Sequence, residues 1–413
     1  MSEHTWNRRQ FLGRTAGAMA AIQAGRAIAR VPGANDRISI GVIGTGERGC
    51  NALIPEAYRF SEQENVEITA VCDPWNEARQ RAVGKVKELF GKEPRQFIHY
   101  QDLLALKDID AVISASPDHQ HCTILKASVL AGKDVYQEKP IAMDLAELID
   151  TYDTVKESGR IVQMGTQLRS WPSFTAVRRI VQGGYIGNVC KVEQVRNSLI
   201  PYWQERYRDI KESDTDWKAF LMHRPYRPFD ADQCTAWYGY RDFSSGPIGG
   251  LMVHFIDLVH YITEGIFPCK AVTIGGKYFY KDARTCPDNV QTILEYPEGF
   301  LVSYSTCIGN GSNSYTRFYG TRGTIDCTNW SEPFLTTQGT PDPGRIPDKY
   351  MIPGVEMPHH MENWLQCLRS RKQPNANIDA GYQHGVAVIL SDMAYVTGRA
   401  MIYDREKREI REA

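Results

Sequence analysis

Apolar residues in the first third of the chain come in short continuous runs, separated by stretches with a helical period. "ISIGVIG" (38–44) and "VEITAVCD" (66–73) read as buried strands, with a helix between them from about Gly49 to Arg59. "AVISAS" (111–116) predicts a third strand, preceded by the helix-like "YQDLLALKDI". "HCTILKASVLAGK" predicts a helix that stops at Gly132, with Lys133 beside it. "DVYQEKP" follows as a fourth strand. "DLAELIDTYDTVKESG" is a helix with Asp144 as its N-cap and Gly159 near its end. "IVQMGTQ" is the fifth strand. Strands and helices alternating at this spacing predict a parallel, doubly wound sheet.

The pattern changes near residue 175. "AVRRIVQGGYIGNVCKVEQVRNS" predicts a helix, a glycine turn and a strand. "AVTIGGKYFY", "NVQTILEYP", "GFLVSYSTCI" and "YTRFYGTRGTIDCT" are rich in β-branched and aromatic residues and are separated by turn residues, which predicts an antiparallel meander. Residues 331–358 read as a Pro/Gly-rich loop. "HHMENWLQCLRSR" and "GYQHGVAVILSDMAYVTGR" predict two closing helices.

With 42% hydrophobic and 23% charged residues the composition is that of an ordinary globular protein, and a net charge of −1 provides no field for nucleic acid or an anionic membrane. The ten cysteines contain no Cys-x-x-Cys pair, which argues against a zinc ribbon or a thioredoxin-like site. "REKREIRE" at the end alternates in sign and reads as a solvated tail. The first residues change the picture more. Arg8-Arg9 in "NRRQFLG" precede a weakly apolar run from Leu12 to Ala24, and Ala27-Ile28-Ala29 offers an A-x-A-like cleavage site. This pattern predicts a twin-arginine export signal over residues 1–29, with a linker at 30–37. The run is too short and too poor in large side chains to span a bilayer stably.

The chemistry begins in "GVIGTGERGC". Gly44-x-Gly46-x-x-Gly49 follows a strand and precedes a helix, where glycines permit a tight turn and a pyrophosphate rests on the helix N-terminus; Thr45 and Arg48 lie in the same turn. Asp73 closes the second strand, placed to accept the adenosine ribose hydroxyls. A carboxylate there repels a 2′-phosphate, so NAD is favoured over NADP. "SASPDHQHC" ends the third strand at the crevice, and its Ser116, Pro117, Asp118, His119 and His121 are candidates for the nicotinamide side; the two histidines read equally well as one surface and one packing residue. Lys139, at the end of the fourth strand, can hydrogen-bond a substrate hydroxyl or donate a proton.

These residues together, above all Glu138-Lys139-Pro140, resemble the glucose–fructose oxidoreductase and inositol dehydrogenase (Gfo/Idh/MocA) family over roughly residues 38–400. "GTQLRS" and "ENWLQCLRSRKQPNA" are similar to that family as well. The resemblance implies an α/β fold: a Rossmann NAD-binding domain at 38–165, and a substrate and oligomerisation domain with a large open, mostly antiparallel sheet at 166–375. A closing helix and tail at 376–413 pack back on the body. It implies hydride transfer at a carbinol carbon of a sugar, polyol or glycoside, with NAD as cofactor and a homodimer or homotetramer as the assembly. By carry-over Lys139 contacts the reacting hydroxyl, Glu138 holds the ribose or that lysine, and Gln167 and Arg169 sit near the nicotinamide or substrate.

"GGLMVHFIDLVH" (249–260) carries the second half of such a site. The family usually has an Asp four residues before a His, and another Asp three after it. His254 and Asp257 match the last two positions, but the first is Gly250. His254 then works alone with Lys139, or Asp242, Tyr240 or His260 substitutes, or the net reaction is not simple dehydrogenation. The offsets of three spread His254, Asp257 and His260 over about 120° of a helix. Three assignments stay open: His254 as acid/base with Asp257 as partner, polar groups satisfied within the fold, or a metal set. The first is carried forward, with no metal expected. Tyr202, Trp203, Trp237, Tyr238 and Arg241, with His260, are candidates for sugar contacts, against ordinary packing of aromatics. The expectation is an exported NAD-dependent sugar oxidoreductase. The alternatives are a glycosidase using tightly held NAD in an oxidation, elimination and reduction cycle, or a non-catalytic sugar or nucleotide binder.

Overall fold

A computed structural model of the chain describes residues 36–200, 210–340 and 348–413. The twin-arginine segment, most of the linker after it, and Tyr202 and Trp203 lie outside these residues.

The first domain runs β1 (Ile38–Ile43), a π turn at Gly49–Leu53 leading into α1 (Ile54–Arg59), β2 (Val66–Cys72), α2 (Asn76–Phe90) and β3 (Arg95–Phe97). It continues through α3 (Tyr100–Leu104), β4 (Ala111–Ser114), α4 (His121–Leu130), β5 (Asp134–Gln137), α5 (Leu145–Ser158) and β6 (Val162–Met164). All pairings are parallel, in the order β3-β2-β1-β4-β5-β6. The apolar runs read as strands are strands because both faces of the sheet are covered. Ile40 and Val42 pack with α1 and α2, while Ile43 and Val112 pack with Leu103 and Ile124. β3 escaped notice because it is a short, largely exposed edge strand with no apolar run. Asp144 caps α5 through the Glu147 amide, and Gly159 ends it with φ +63°.

The second domain comprises α6 (Pro172–Gln182), β7 (Val189–Val195), α7 (Trp217–Leu221), α8 (Ala231–Thr235) and a π turn at Ile248–Met252 that leads into α9 (Val253–Thr263). Then come β8 (Lys270–Gly276), β9 (Asn289–Tyr296), β10 (Phe300–Cys307), β11 (Tyr315–Gly320), β12 (Thr324–Asp326), β13 (Phe334–Thr336) and β14 (Tyr350–Met351). Last are α10 (His360–Ser370), α11 (Ile378–Thr397), β15 (Met401–Asp404) and β16 (Glu409–Glu412). Ten strands form one sheet in the order β14-β13-β12-β11-β7-β10-β9-β8-β15-β16. It is antiparallel except where β7 lies parallel to β10, with Val192 opposite Val302. The meander is therefore interrupted: β7 comes from far upstream and inserts between β10 and β11. One face packs against α6, α9 and α11; along β9, Val290, Leu294 and Tyr296 point in while Gln291, Ile293 and Glu295 point out.

Two segments differ from their sequence patterns. The stretch read as loop at 331–358 contains β13 and β14, whose few residues are too short to show alternation. The tail read as solvated contributes β16, which pairs with β15 while keeping its charges outside. α10 packs Met361, Trp364 and Leu365 into the core of the first domain beside Ile40 and Tyr136, so a segment distant in sequence completes the nucleotide domain. All ten cysteines are unpaired. Among the described residues no helix is long and apolar enough to cross a membrane.

Candidate active site

A cleft of about 1020 Å³ opens at the carboxyl ends of β1, β4 and β5 and is closed from the other side by the second domain. β1 and β4 are where the strand order reverses, the place at which crossovers diverge to opposite faces and leave a crevice.

The glycine turn forms one wall. Gly44 has φ +84°, and a Cβ there would stand 2.5 Å from the Ser116 nitrogen; one on Gly49 would stand 2.0 Å from the Gly44 carbonyl oxygen. Gly46 has nothing within 4 Å of where its Cβ would be, so bare backbone faces the cleft. Thr45 and Gly49 are buried behind this surface rather than lining it. Thr45 donates from its amide (2.7 Å) and its hydroxyl (3.3 Å) to one oxygen of Asp73, whose other oxygen accepts from the Trp75 amide at 2.9 Å. Asp73 thus braces the turn as well as lining the cleft, and burial pushes its carboxyl above the usual range against the pull of those hydrogen bonds. Ser116 Oγ is buried at the cleft with no hydrogen-bond partner among the described residues. A close-approach turn, an acid at the end of β2 and an orphaned hydroxyl fit a dinucleotide. NAD laid here would meet Gly46, Asp73 and Ser116.

Glu138 and Lys139 extend from β5 into the same cleft, joined by Gln167. Arg48 Nε donates to Glu138 at 2.6 Å, and Gln167 Nε2 donates to the Tyr136 hydroxyl at 3.1 Å. Burial works to raise the Glu138 carboxyl, but Arg48 and Lys139 outweigh it and hold it below the usual range. Lys139 Nζ donates to the Gly250 carbonyl at 2.9 Å, which ties the first domain to the second at the site. Burial lowers the Lys139 ammonium, with Glu138 and Asp118 opposing. His254 lines the cleft from the first turn of α9 with no hydrogen-bond partner among the described residues, and burial, followed by Lys139, keeps its imidazole well below its ordinary value.

Asp257 and His260 do not share that face. Each step of three residues turns the helix by about −60°, so the three side chains fan apart rather than converge. Asp257 is fully buried away from the cleft, accepting from Arg169 Nε at 2.8 Å and facing His384 Nδ1 at 3.0 Å. Burial works against its charge, but Arg169 and His384 hold the carboxyl far below the usual range. Arg169 is spent on this pair and does not line the cleft. His260 points to the sheet, with Nε2 at 2.8 Å from the Tyr296 hydroxyl, and burial pushes its imidazole down to about 3. His384, on α11, completes the network; its only sequence signal was a polar residue inside an apolar helical run. Among the described residues no group of three or more His, Cys, Asp or Glu is placed to hold a metal ion.

Pro117, Asp118 and His121 line the cleft. Asp118 accepts from Ser244 Oγ at 2.6 Å, and burial pushes its carboxyl up to about 6. His121 sits between two carbonyls, with Nδ1 at 2.5 Å from Pro140 O and Nε2 at 2.8 Å from Ser116 O. His119 is a packing residue, set against Phe220 and Phe243 with Nε2 on the Phe220 carbonyl. Trp237 and Tyr238 reach the cleft, whereas Arg241 turns away to a two-pronged pair with Asp392 at 2.9 and 2.6 Å. Trp75, Tyr100 and Leu251 also line the cleft and carried no motif to single them out. Of the groups weighed as substitutes at Gly250, Asp242 pairs with Arg227, His260 faces the sheet, and Tyr240 is not in the cleft wall. The group that stands there is Tyr238: a Cβ on Gly250 would lie 0.8 Å from its hydroxyl oxygen.

Comparison with known proteins matches the description "Oxidoreductase family, NAD-binding Rossmann fold" (GFO_IDH_MocA) to residues 38–166, and the GFO/IDH/MocA C-terminal domain to residues 219–326. A "Glycosyl hydrolase family 109 protein 2" of Shewanella sp. (strain ANA-3) is 32% identical over 195 residues, 46% of this chain and 41% of that protein. An "Inositol 2-dehydrogenase/D-chiro-inositol 3-dehydrogenase" of Lactiplantibacillus plantarum is 27% identical over 177 residues, 42% of this chain and 48% of that protein. The chain thus spans less than half the length of these relatives. In fold it is similar to an aldose-aldose oxidoreductase from Caulobacter crescentus, with a TM-score of 0.68 at 17% identity over 89% of this chain and 99% of the other.

Proposed function

The chain belongs to the GFO/IDH/MocA oxidoreductase family, and from that membership we propose that it is an NAD-dependent oxidoreductase acting on a sugar, polyol or glycoside at a carbinol carbon. The observation that carries this proposal is that Lys139 and His254, from the two domains, line one cleft with the glycine turn and Asp73. NAD, when bound, supplies the acceptor for the hydride that leaves the carbinol carbon. Lys139, already donating to the Gly250 carbonyl, presents its remaining N–H groups to the alcohol oxygen. His254, neutral and without a hydrogen bond among the described residues, takes the hydroxyl proton as the carbonyl forms. Glu138, held ionised by Arg48, stays beside the lysine and favours its charged state. Asp257 and Arg169 act from behind by fixing α9 to β6's exit and to α11. Lys139→Ala lowers turnover of any accepted sugar about a hundredfold or more, the usual scale for an acid–base group; unchanged turnover refutes the role.

A second function has its own support in the stretch 32% identical to a glycosyl hydrolase family 109 protein and in the carboxylate absent at Gly250. In it, retained NAD oxidises a glycoside transiently, elimination follows, and reduction returns the cofactor. Hydrolysis of aryl glycosides without added NAD, by protein shown by mass spectrometry to carry NAD, decides for it. Accumulation of free NADH decides against it.

Arg8-Arg9 and the cleavage-like Ala27-Ile28-Ala29 support export by the twin-arginine route, which N-terminal sequencing of extracytoplasmic protein tests. The open face of the large sheet exposes Ile274 (71%), Ile293 (52%) and Leu301 (47%), which supports a homodimer or homotetramer paired through it; light scattering is the check.

A further inference from the structure

Gly250 and Tyr238 are twelve positions apart in the chain and occupy one place in the site. The ideal Cβ of residue 250 would lie 0.8 Å from the Tyr238 hydroxyl oxygen and 1.9 Å from the ring carbon that bears it. A side chain at 250 requires this phenol to move. The neighbouring Gly249 is equally constrained, since its Cβ would lie 2.2 Å from Ser245 Oγ and 3.3 Å from Pro140. The glycine pair therefore lets two things approach the start of α9: the Lys139-Pro140 segment on one side and the Tyr238 ring on the other. The tyrosine comes from a short 3-10 turn at Trp237–Gly239, and Trp237 packs against it at 5.1 Å between ring centroids. Lys139, Gly250, His254 and Tyr238 all line the cleft, with Lys139 and Tyr238 both reaching Gly250.

We propose, resting on the oxidoreductase function above, that the Tyr238 hydroxyl takes the place of an acidic side chain at position 250 and hydrogen-bonds the reacting sugar hydroxyl beside Lys139 and His254. The exchange alters charge as well as shape. Burial, with the carboxylates of Asp118 and Glu138 adding to it, raises the phenol well above its ordinary value, so it stays neutral. A neutral phenol both donates and accepts, and no proton has to leave it during turnover. His254 then faces Lys139 and Arg48 from the first domain, His384 from α11 and Asp257 from its own helix, with no anion at 250. Its imidazole is accordingly neutral and serves as a base. An aspartate at 250 would favour the imidazolium and raise the pH at which the same histidine loses its proton.

The test is a cycle of Tyr238→Phe, Gly250→Asp, and the double variant Tyr238→Ala with Gly250→Asp. Each is measured for NADH binding by fluorescence, for thermal midpoint, and for kcat and KM against pH on an accepted sugar. Tyr238→Phe is expected to keep NADH affinity and thermal midpoint while kcat falls about tenfold or more, the scale of one lost hydrogen bond to the reacting oxygen. Gly250→Asp alone is expected to melt lower and lose activity, because the new side chain meets the phenol. Removing the ring in the double variant restores the midpoint, and the acidic limb of its kcat/KM profile moves to higher pH because the new carboxylate raises His254. The fall in kcat of Tyr238→Phe, which keeps the ring and removes only the hydroxyl, separates the proposal from a purely space-filling tyrosine. Full activity of Tyr238→Phe, or Gly250→Asp tolerated beside Tyr238, overturns it. Its failure is distinct from failure of the functional proposal: in the first case Lys139→Ala is inactive while Tyr238→Phe is normal, and in the second the wild type oxidises no sugar.

Discussion

Replacing Asp257 by asparagine tests whether the polar residue one turn along α9 from His254 is chemical or structural. The side chain keeps its shape and loses its charge. Its oxygens lie 2.8 Å from Arg169 Nε and 3.0 Å from His384 Nδ1, and both Asp257 and His384 are fully buried. At 2.8 Å and an effective dielectric of about 20, the attraction to Arg169 is roughly 6 kcal/mol, much of it offset by the cost of burying both charges. Removing one partner leaves the guanidinium buried without its counter-charge, and one of its nitrogens, Nη2, already has no hydrogen-bond partner among the described residues. The expected loss is about 3–5 kcal/mol, a large share of the roughly 5–15 kcal/mol that stabilises a folded protein. Chemical unfolding followed by tryptophan fluorescence reads the loss as a lower midpoint. Because the folded carboxyl is held far below its ordinary value, the network's contribution is present above about pH 4 and fades only at more acidic pH. The gap between wild type and variant is therefore flat from neutrality to about pH 5. At a temperature where the variant is folded, kcat/KM stays within a few-fold and NADH affinity is unchanged. An unchanged unfolding midpoint together with a hundredfold fall in kcat/KM would show that Asp257 acts on substrate and that its place in the buried network has been misjudged.

The first domain was legible because its signals are local. A strand buried on both faces has to be apolar throughout, so β1, β2 and β4 announce themselves, and Gly44 and Gly49 mark a turn where side chains do not fit. Lys139 was legible for the same reason, since the end of a strand in such a sheet faces the crevice. The second domain hid more. β13 and β14 owe their existence to neighbouring strands rather than to their own residues, and β7 joins its sheet beside strands from far downstream. The face of α9 was misjudged for a geometric reason: spacing of three puts residues on a shared arc, but packing decides which part of the arc is exposed. His254 reaches the cleft while Asp257 and His260 face α11 and the sheet. Arg169 and Arg241 were candidates for sugar contact by residue type, yet each is consumed by a carboxylate, Asp257 and Asp392, that no sequence spacing relates to it. The tyrosine that fills the space over Gly250 was not among the residues weighed for that place, Asp242, Tyr240 and His260, since only the tertiary structure brings a remote turn onto that glycine.

Two further perturbations probe the cleft. Gly49→Ala places a methyl 2.0 Å from the Gly44 carbonyl oxygen, so the turn must open; at about 3 kcal/mol for such overpacking, NADH affinity falls about a hundredfold by fluorescence titration, and an unchanged Kd refutes the assignment of this turn. Asp118→Asn probes the buried carboxyl next to Lys139, and its sign follows from the direction of the shift. Burial raises the folded carboxyl to about 6, while an unfolded aspartate titrates near 3.9. A group raised in the folded state contributes stability that is complete below the unfolded value and is lost as pH climbs through the folded one. Between about pH 4 and pH 6 the wild type therefore gives up about 3 kcal/mol at this residue, from roughly two pH units at 1.36 kcal/mol each. Asparagine cannot ionise, and its side-chain oxygen still accepts from Ser244 Oγ. The stability of Asp118→Asn relative to wild type should thus rise by up to about 3 kcal/mol between pH 4 and pH 7, measured by chemical unfolding without cofactor at each pH. A difference that stays constant across that interval would mean that Asp118 is already ionised at pH 4, held so by Lys139 and His121, and that charge in this corner of the site outweighs burial.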